Sequence, residues 1–187
     1  QGLSGFRIGD PNQWRLNKQL AGGGAMMDIG IYSINGARYM VGEEPVWVTA
    51  VETKTDPVKF KEGVDETIQF QLGFPSGAVA HCETSYSKNE NLLRAEAENG
   101  WFELDPAYEY EGLKGRTSEG PMQFAAINQQ AAQMDDFAWC IKNKLDSRVP
   151  GEMGLRDVEI MIAIYESAST NKRIELRLEE FASLAEK

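Results

Sequence analysis

Asp28 and Tyr32 stand four residues apart, just downstream of Gly22-Gly23-Gly24, and on a helix that spacing puts both side chains on one face. A carboxylate placed there can accept hydrogen bonds from ligand hydroxyls. A phenol beside it can give a proton to a developing alkoxide or take one from a hydroxyl. Free tyrosine titrates near about 10, so that role calls for a neighbouring cation, and none sits beside Tyr32 in sequence. The structural alternative has Asp28 complementing a helix N-terminus and Tyr32 as an ordinary half-buried aromatic, and spacing alone favours it.

The three glycines resemble a phosphate cradle only in outline. The dinucleotide fingerprint G-x-G-x-x-G would need glycine where Met27 stands, and no P-loop lysine and serine follow. No nucleotide site is expected from this chain alone. Arg15 could grip a hydroxyl-rich or phosphorylated ligand through its planar fork, or pair with an acidic side chain. Trp14 could stack on a flat ligand or simply pack. Asn128 and Gln129 open a helix that could face a cleft, and Asn128 could equally be its N-cap. His81 lies beside Cys82 in an alternating strand, Cys140 in a helix-like run, and no CxxC spacing or second histidine accompanies them; two packed thiols are expected and a zinc site is not.

Three blocks of elements must position these residues. A strand over Leu3 to Ile8 and a Trp-containing loop lead to the glycines and to a helix over Ala25 to Val41, whose apolar residues Met26, Ile29, Ile34 and Ala37 recur at near-helical spacing. Gly42 and Pro45 stop it. The middle block reads as strands: Val46 to Val51, then Thr67 to Phe74 and Ala78 to Tyr86 as a hairpin across Pro75-Ser76-Gly77, then Leu92 to Glu98 and Trp101 to Leu104 as a second hairpin across Asn99-Gly100. Tyr108 to Leu113 is expected as a further short strand.

The last block predicts two core-facing helices. Ile127 to Lys142 carries Ala131, Met134, Phe137, Ala138 and Ile141 on one stripe, and Leu155 to Thr170 carries Val158, Ile162 and Tyr165. A short strand at Ile174 to Leu176 and a terminal helix over Glu179 to Glu186 follow. The order predicts an α+β fold, a mostly antiparallel open sheet with helices packed on one face. Gln69 and Gln71 leave the other face polar, free for water or for a second subunit.

At 187 residues the chain predicts one domain with one sizeable core, and its net charge of −10 with no basic run excludes nucleic acid or an anionic membrane as the main partner. No apolar stretch approaches the roughly 20 residues of a membrane span. The chain opens Gln1-Gly2-Leu3, already strand-like, and is read as a fragment. The compartment is taken as cytoplasmic by default, or periplasmic where a preceding segment carries a signal peptide.

The run Trp14-Arg15-Leu16, then Ala21 to Tyr32 and on to Gly42-Glu43-Glu44-Pro45, with Ser85-Tyr86-Ser87, Asn128-Gln129, Pro150-Gly151-Glu152 and Ile164 to Ala168, resembles the C-terminal domain of the glucose-fructose oxidoreductase (Gfo/Idh/MocA) family over nearly the whole chain. The resemblance implies that residues 1–187 form a single substrate-binding and dimerisation domain, and that the parent protein also carries an N-terminal Rossmann domain holding NAD or NADP. It implies a sugar or polyol substrate, a homodimer or higher homo-oligomer through the open sheet face, and substrate contact by Asp28 and Tyr32, with Tyr32 matching the branch that has tyrosine in place of histidine. The family's Glu-Lys-Pro lysine, which would supply the missing cation, has no counterpart here, so the isolated chain is expected to be inactive. A non-catalytic dimerisation or sugar-binding module is the alternative.

Overall fold

The computed structural model describes residues 1–61 and 63–177; the expected helix over Glu179 to Glu186 lies outside them. Period-two alternation in the middle of the chain dictates the sheet. Strands β1 (Gly2–Gly5), β2 (Trp47–Thr53), β3 (Thr67–Gly73), β4 (Val79–Ser85), β5 (Glu90–Ala97), β6 (Gly100–Leu104), β7 (Gly115–Thr117), β8 (Gly120–Pro121) and β9 (Ile174–Glu175) form one nine-stranded sheet. Its order is β8-β7-β6-β5-β1-β4-β3-β2-β9. Every pairing is antiparallel except β1 with β4. Both expected hairpins form, β3 with β4 and β5 with β6.

The register carries Val48, Ile68, Phe70, Leu72, Ala80 and Cys82 to one face, and there they are buried under α2 (Ala25–Val41) and α4 (Gly151–Thr170) through Met26, Ile34, Ala37, Ile160 and Ile164. Helix α2 lies over β1 and β4, and α4 over β2. The opposite face presents Thr49, Gln69, Gln71 and His81 beside the buried Glu83. This is the α+β arrangement with helices on one side. Both cysteines are buried free thiols, and burial pushes the Cys82 thiol up to about 12.

Three expectations need correction. The segment Tyr108 to Leu113 is not a strand. Asn91 Oδ1 accepts hydrogen bonds from the backbone N–H of Ala107 and of Tyr108, and the Tyr108 ring turns onto α2, so the chain leaves the sheet and rejoins it at β7. The apolar stripe of α3 (Gln129–Asn143) does not face the core: Met134 is 72% exposed and Phe137 55%, and Cys140 is the buried residue of the helix. In α4 the expected stripe is rotated, because Val158 and Ile162 are exposed while Ile160, Met161, Ile164 and Ser167 pack inward. Helix α4 is apolar on two sides, and electrostatics selects between them. Buried Asp157 pairs with Arg38 of α2, and Arg38 also makes a two-pronged contact with Glu44, both bonds at 2.8 Å. That network fixes which side turns to the sheet.

Glu66, 1% exposed, ties the loop after β2 to the end of β4. Its carboxylate accepts from the Thr55 N–H (2.6 Å), the Thr55 hydroxyl (2.6 Å), the Asp56 N–H (3.0 Å) and the Ser87 hydroxyl (2.5 Å). Burial works to raise this carboxyl, but the hydrogen bonds from Ser87, Thr55 and Asp56 outweigh it and hold it at about 2. A depressed carboxyl stabilises the fold above its unfolded value and loses that contribution as pH falls toward the folded one. From about 4.5 down to about 2, up to roughly 3 kcal/mol should therefore disappear. Urea unfolding over that range checks it: Glu66→Gln should flatten the acid loss, and an unchanged slope would contradict the assignment.

Candidate active site

The site begins with how α2 starts. Gly22 ends the short helix α1 (Lys18–Ala21) in a left-handed conformation, φ 79°, and the chain then passes so close to Asp65 that a Cβ on Gly24 would lie 2.0 Å from the Asp65 carbonyl oxygen. Asp65 is buried and caps the helix from across the fold. Its Oδ1 accepts from the Gly24 N–H at 2.7 Å and from the Tyr165 hydroxyl at 2.6 Å, and its Oδ2 accepts from the Met26 N–H at 2.7 Å. The anion at this helix N-terminus is thus a protein carboxylate. The triple glycine serves that contact, and it leaves no open amide nest for a cofactor phosphate there.

One turn into α2, Asp28 is reached by two donors on one oxygen. The Tyr86 hydroxyl donates to Oδ2 at 2.8 Å and Arg15 Nε donates to the same atom at 3.0 Å. Asp28 Oδ1 takes no hydrogen bond from the described residues. Arg15 sits in the 3₁₀ turn Trp14–Leu16 and lies 4.7 Å from the ring centre of Trp14, which is half exposed. Tyr86 follows β4 directly and is 1% exposed. Burial, then the Asp28 carboxylate, push its phenol far above the ordinary tyrosine range, so it remains a donor.

Tyr32, a further turn along, is 43% exposed and lies against Tyr108, ring centres 5.6 Å apart. The two line a groove of about 790 Å³ with Ile31, Asn35, Tyr39 and Met153. Arg38 and Arg156 border the same groove, and both bond Glu44.

Of the residues singled out from sequence, Trp14, Arg15 and Asp28 come together and Tyr32 stands one turn away. Asn128 and Gln129 do not join them. The Asn128 side chain caps α3 by accepting from the Ala131 N–H at 2.9 Å, and Gln129 donates to the Glu109 carbonyl at 3.2 Å. Both border a separate cavity of about 920 Å³ with Tyr110, Leu113 and Phe124. Asp65 and Tyr108 carry no local sequence signal for these contacts, and Tyr165 is legible only as a stripe and motif residue; the three lie from 39 to 100 residues from their partners in bonds or in ring contact. Tyr86 was marked only as part of Ser85-Tyr86-Ser87. Among the described residues no cluster of His, Cys, Asp and Glu is arranged to hold a metal ion, and no helix is long and apolar enough to cross a membrane.

Comparison with known proteins places the fold in a family. The chain is 30% identical over 177 residues to D-xylose 1-dehydrogenase [NADP(+)] of Haloarcula marismortui, covering 90% of this chain and 48% of that protein. It superposes on aldose-aldose oxidoreductase from Caulobacter crescentus, complexed with glycerol, with a TM-score of 0.88 and 46% identity, over 93% of this chain and 54% of the other. Levoglucosan dehydrogenase, in complex with NADH and levoglucosan, follows the same fold with a TM-score of 0.76 and 25% identity, over 94% of this chain and 57% of that one. The chain spans about half the length of the curated relatives it matches. Residues 3–115 match the GFO/IDH/MocA C-terminal domain, and with these relatives on either side of the comparison the chain belongs to that family.

Proposed function

We propose that this chain is the substrate-binding half of an NAD(P)-dependent sugar or polyol oxidoreductase. In this reading the Asp28 carboxylate receives a substrate hydroxyl on Oδ1 and orients the ring. The Tyr32 hydroxyl gives its proton to the developing alkoxide in the reducing direction and, as phenolate beside a cation supplied by the portion of the relatives that this chain does not span, takes it from the carbinol in the oxidising direction. The nicotinamide, when bound, supplies the hydride acceptor; the amides at the start of α2 are engaged by Asp65, so its phosphates are assigned to the portion of the relatives that this chain does not span. The observation that carries the reading is a partly exposed carboxylate with one oxygen taking two hydrogen bonds and the other without a hydrogen bond among the described residues, one turn before an exposed tyrosine, in a domain whose relatives are sugar oxidoreductases.

The open sheet face is proposed as the seat of a second copy. It is broad and mixed in character, with Val51 (56% exposed) and Val79 (43% exposed) set among Thr49, Gln69, Gln71 and His81. Oxidation of aldoses with NAD or NADP by the full-length protein, and no turnover by the isolated chain, test the chemical part. Light scattering on the same preparation should give at least twice the chain mass. A monomer would remove the dimer and leave the chemistry standing, whereas turnover by the isolated chain would overturn the division of labour.

A further inference from the structure

The Tyr86 hydroxyl has one visible task, and the rest of the side chain is arranged to keep it there. The ring lies in a buried cluster with Ile8, Leu16, Ala25, Phe60 and Val64. It meets Phe6 edge-on at 5.3 Å and stacks near Phe60 at 6.5 Å. Its backbone is pinned as well, because the N–H donates to the Glu66 carbonyl at 2.8 Å and the carbonyl accepts from the Ile8 N–H at 2.9 Å. Only the hydroxyl emerges from this setting, and it meets Asp28 Oδ2.

We propose that Tyr86 is a positioning residue for Asp28: together with Arg15 it fixes one carboxylate oxygen, so that the other alone meets a substrate hydroxyl. The inference rests on the reading in which Asp28 touches the sugar. A carboxylate on a helix surface with both oxygens free rotates and offers either to a ligand. Two donors converging on Oδ2 from different elements, one from the end of β4 and one from the 3₁₀ turn, remove that freedom. Asp28 then recognises one hydroxyl in one geometry, with Arg15 Nε held on the same oxygen as the Tyr86 hydroxyl. The charge-assisted character of both bonds makes the arrangement stiffer than neutral partners would.

The experiment is a double-mutant cycle in the full-length protein, reading KM and kcat for its best aldose. Tyr86→Phe keeps the packed ring and removes the hydroxyl; KM should rise by about tenfold with a smaller change in kcat. In an Asp28→Ala background the same substitution should change KM by less than about twofold, since nothing remains for the hydroxyl to hold. Arg15→Gln, a partly exposed site whose replacement threatens the fold less, should show the same dependence on Asp28. A tenfold penalty that persists in the Asp28→Ala background means Tyr86 acts through the core and overturns the inference alone. An Asp28→Ala protein with unaltered KM and kcat overturns the substrate-contact reading and takes the inference with it.

Discussion

Tyr32→Phe in the full-length protein is expected to slow hydride transfer in a single turnover by about 10²–10⁴-fold, the range that a positioned acid or base contributes. Sugar affinity should stay within a few-fold. The two outcomes separate because the substitution removes only the hydroxyl. The ring keeps its place against Tyr108, 5.6 Å centre to centre, and the phenol oxygen of this residue, 43% exposed, makes no hydrogen bond among the described residues. A structural tyrosine at this position would behave differently, with normal chemistry and at most a small loss of stability. Single-turnover mixing isolates the chemical step from product release; an unchanged rate would remove Tyr32 from acid or base catalysis.

Asp65→Ala should be the most damaging single substitution for stability, at about 3–5 kcal/mol, or roughly 10–15 °C in Tm. It strips partners from the Gly24 N–H, the Met26 N–H and the Tyr165 hydroxyl at once, and each buried group left unsatisfied costs about 1–3 kcal/mol. Tyr165→Phe, which removes one donor and leaves both amides satisfied, should cost only about 1 kcal/mol. Because Asp28 and Tyr32 ride on the helix that Asp65 caps, the loss should also loosen the site. A destabilisation below about 1 kcal/mol from Asp65→Ala, by chemical unfolding, would show that the cap is redundant.

Local chemistry made much of this fold legible. The helix over Ala25 to Val41 and its stop at Gly42 follow from apolar spacing and a left-handed glycine, and both hairpins follow from alternation broken by turn residues. The failures share a cause. Helix α3 has an apolar stripe, and a stripe says that something covers it without saying what; the described residues leave Phe137 and Met134 open. Helix α4 has two usable faces, and the Arg38–Asp157 pair that chooses between them joins residues 119 positions apart. Tyr108 left the sheet because Asn91 holds its backbone, a contact that strand propensity does not encode.

The candidate site divides the same way. Asp28 and Tyr32 were visible as a pair because i and i+4 share a helical face, although spacing alone favoured a structural role. The residues that give Asp28 its geometry come from elsewhere. Arg15 was visible as a cation without an assignable partner. Tyr86 was visible only as part of a motif, and the 58 residues separating it from Asp28 are closed by the sheet and not by any local pattern.

The central claim, that this domain presents a sugar carbinol for dehydrogenation, is tested most directly by isotope transfer. The full-length protein is mixed with an aldose deuterated at C1 and with oxidised nicotinamide, and the reduced cofactor is examined by mass spectrometry. The account predicts deuterium in the reduced nicotinamide, with the transfer lost in Tyr32→Phe on the single-turnover timescale. A folded protein that moves no deuterium from any of a panel of aldoses and polyols labelled at each carbinol carbon would contradict it.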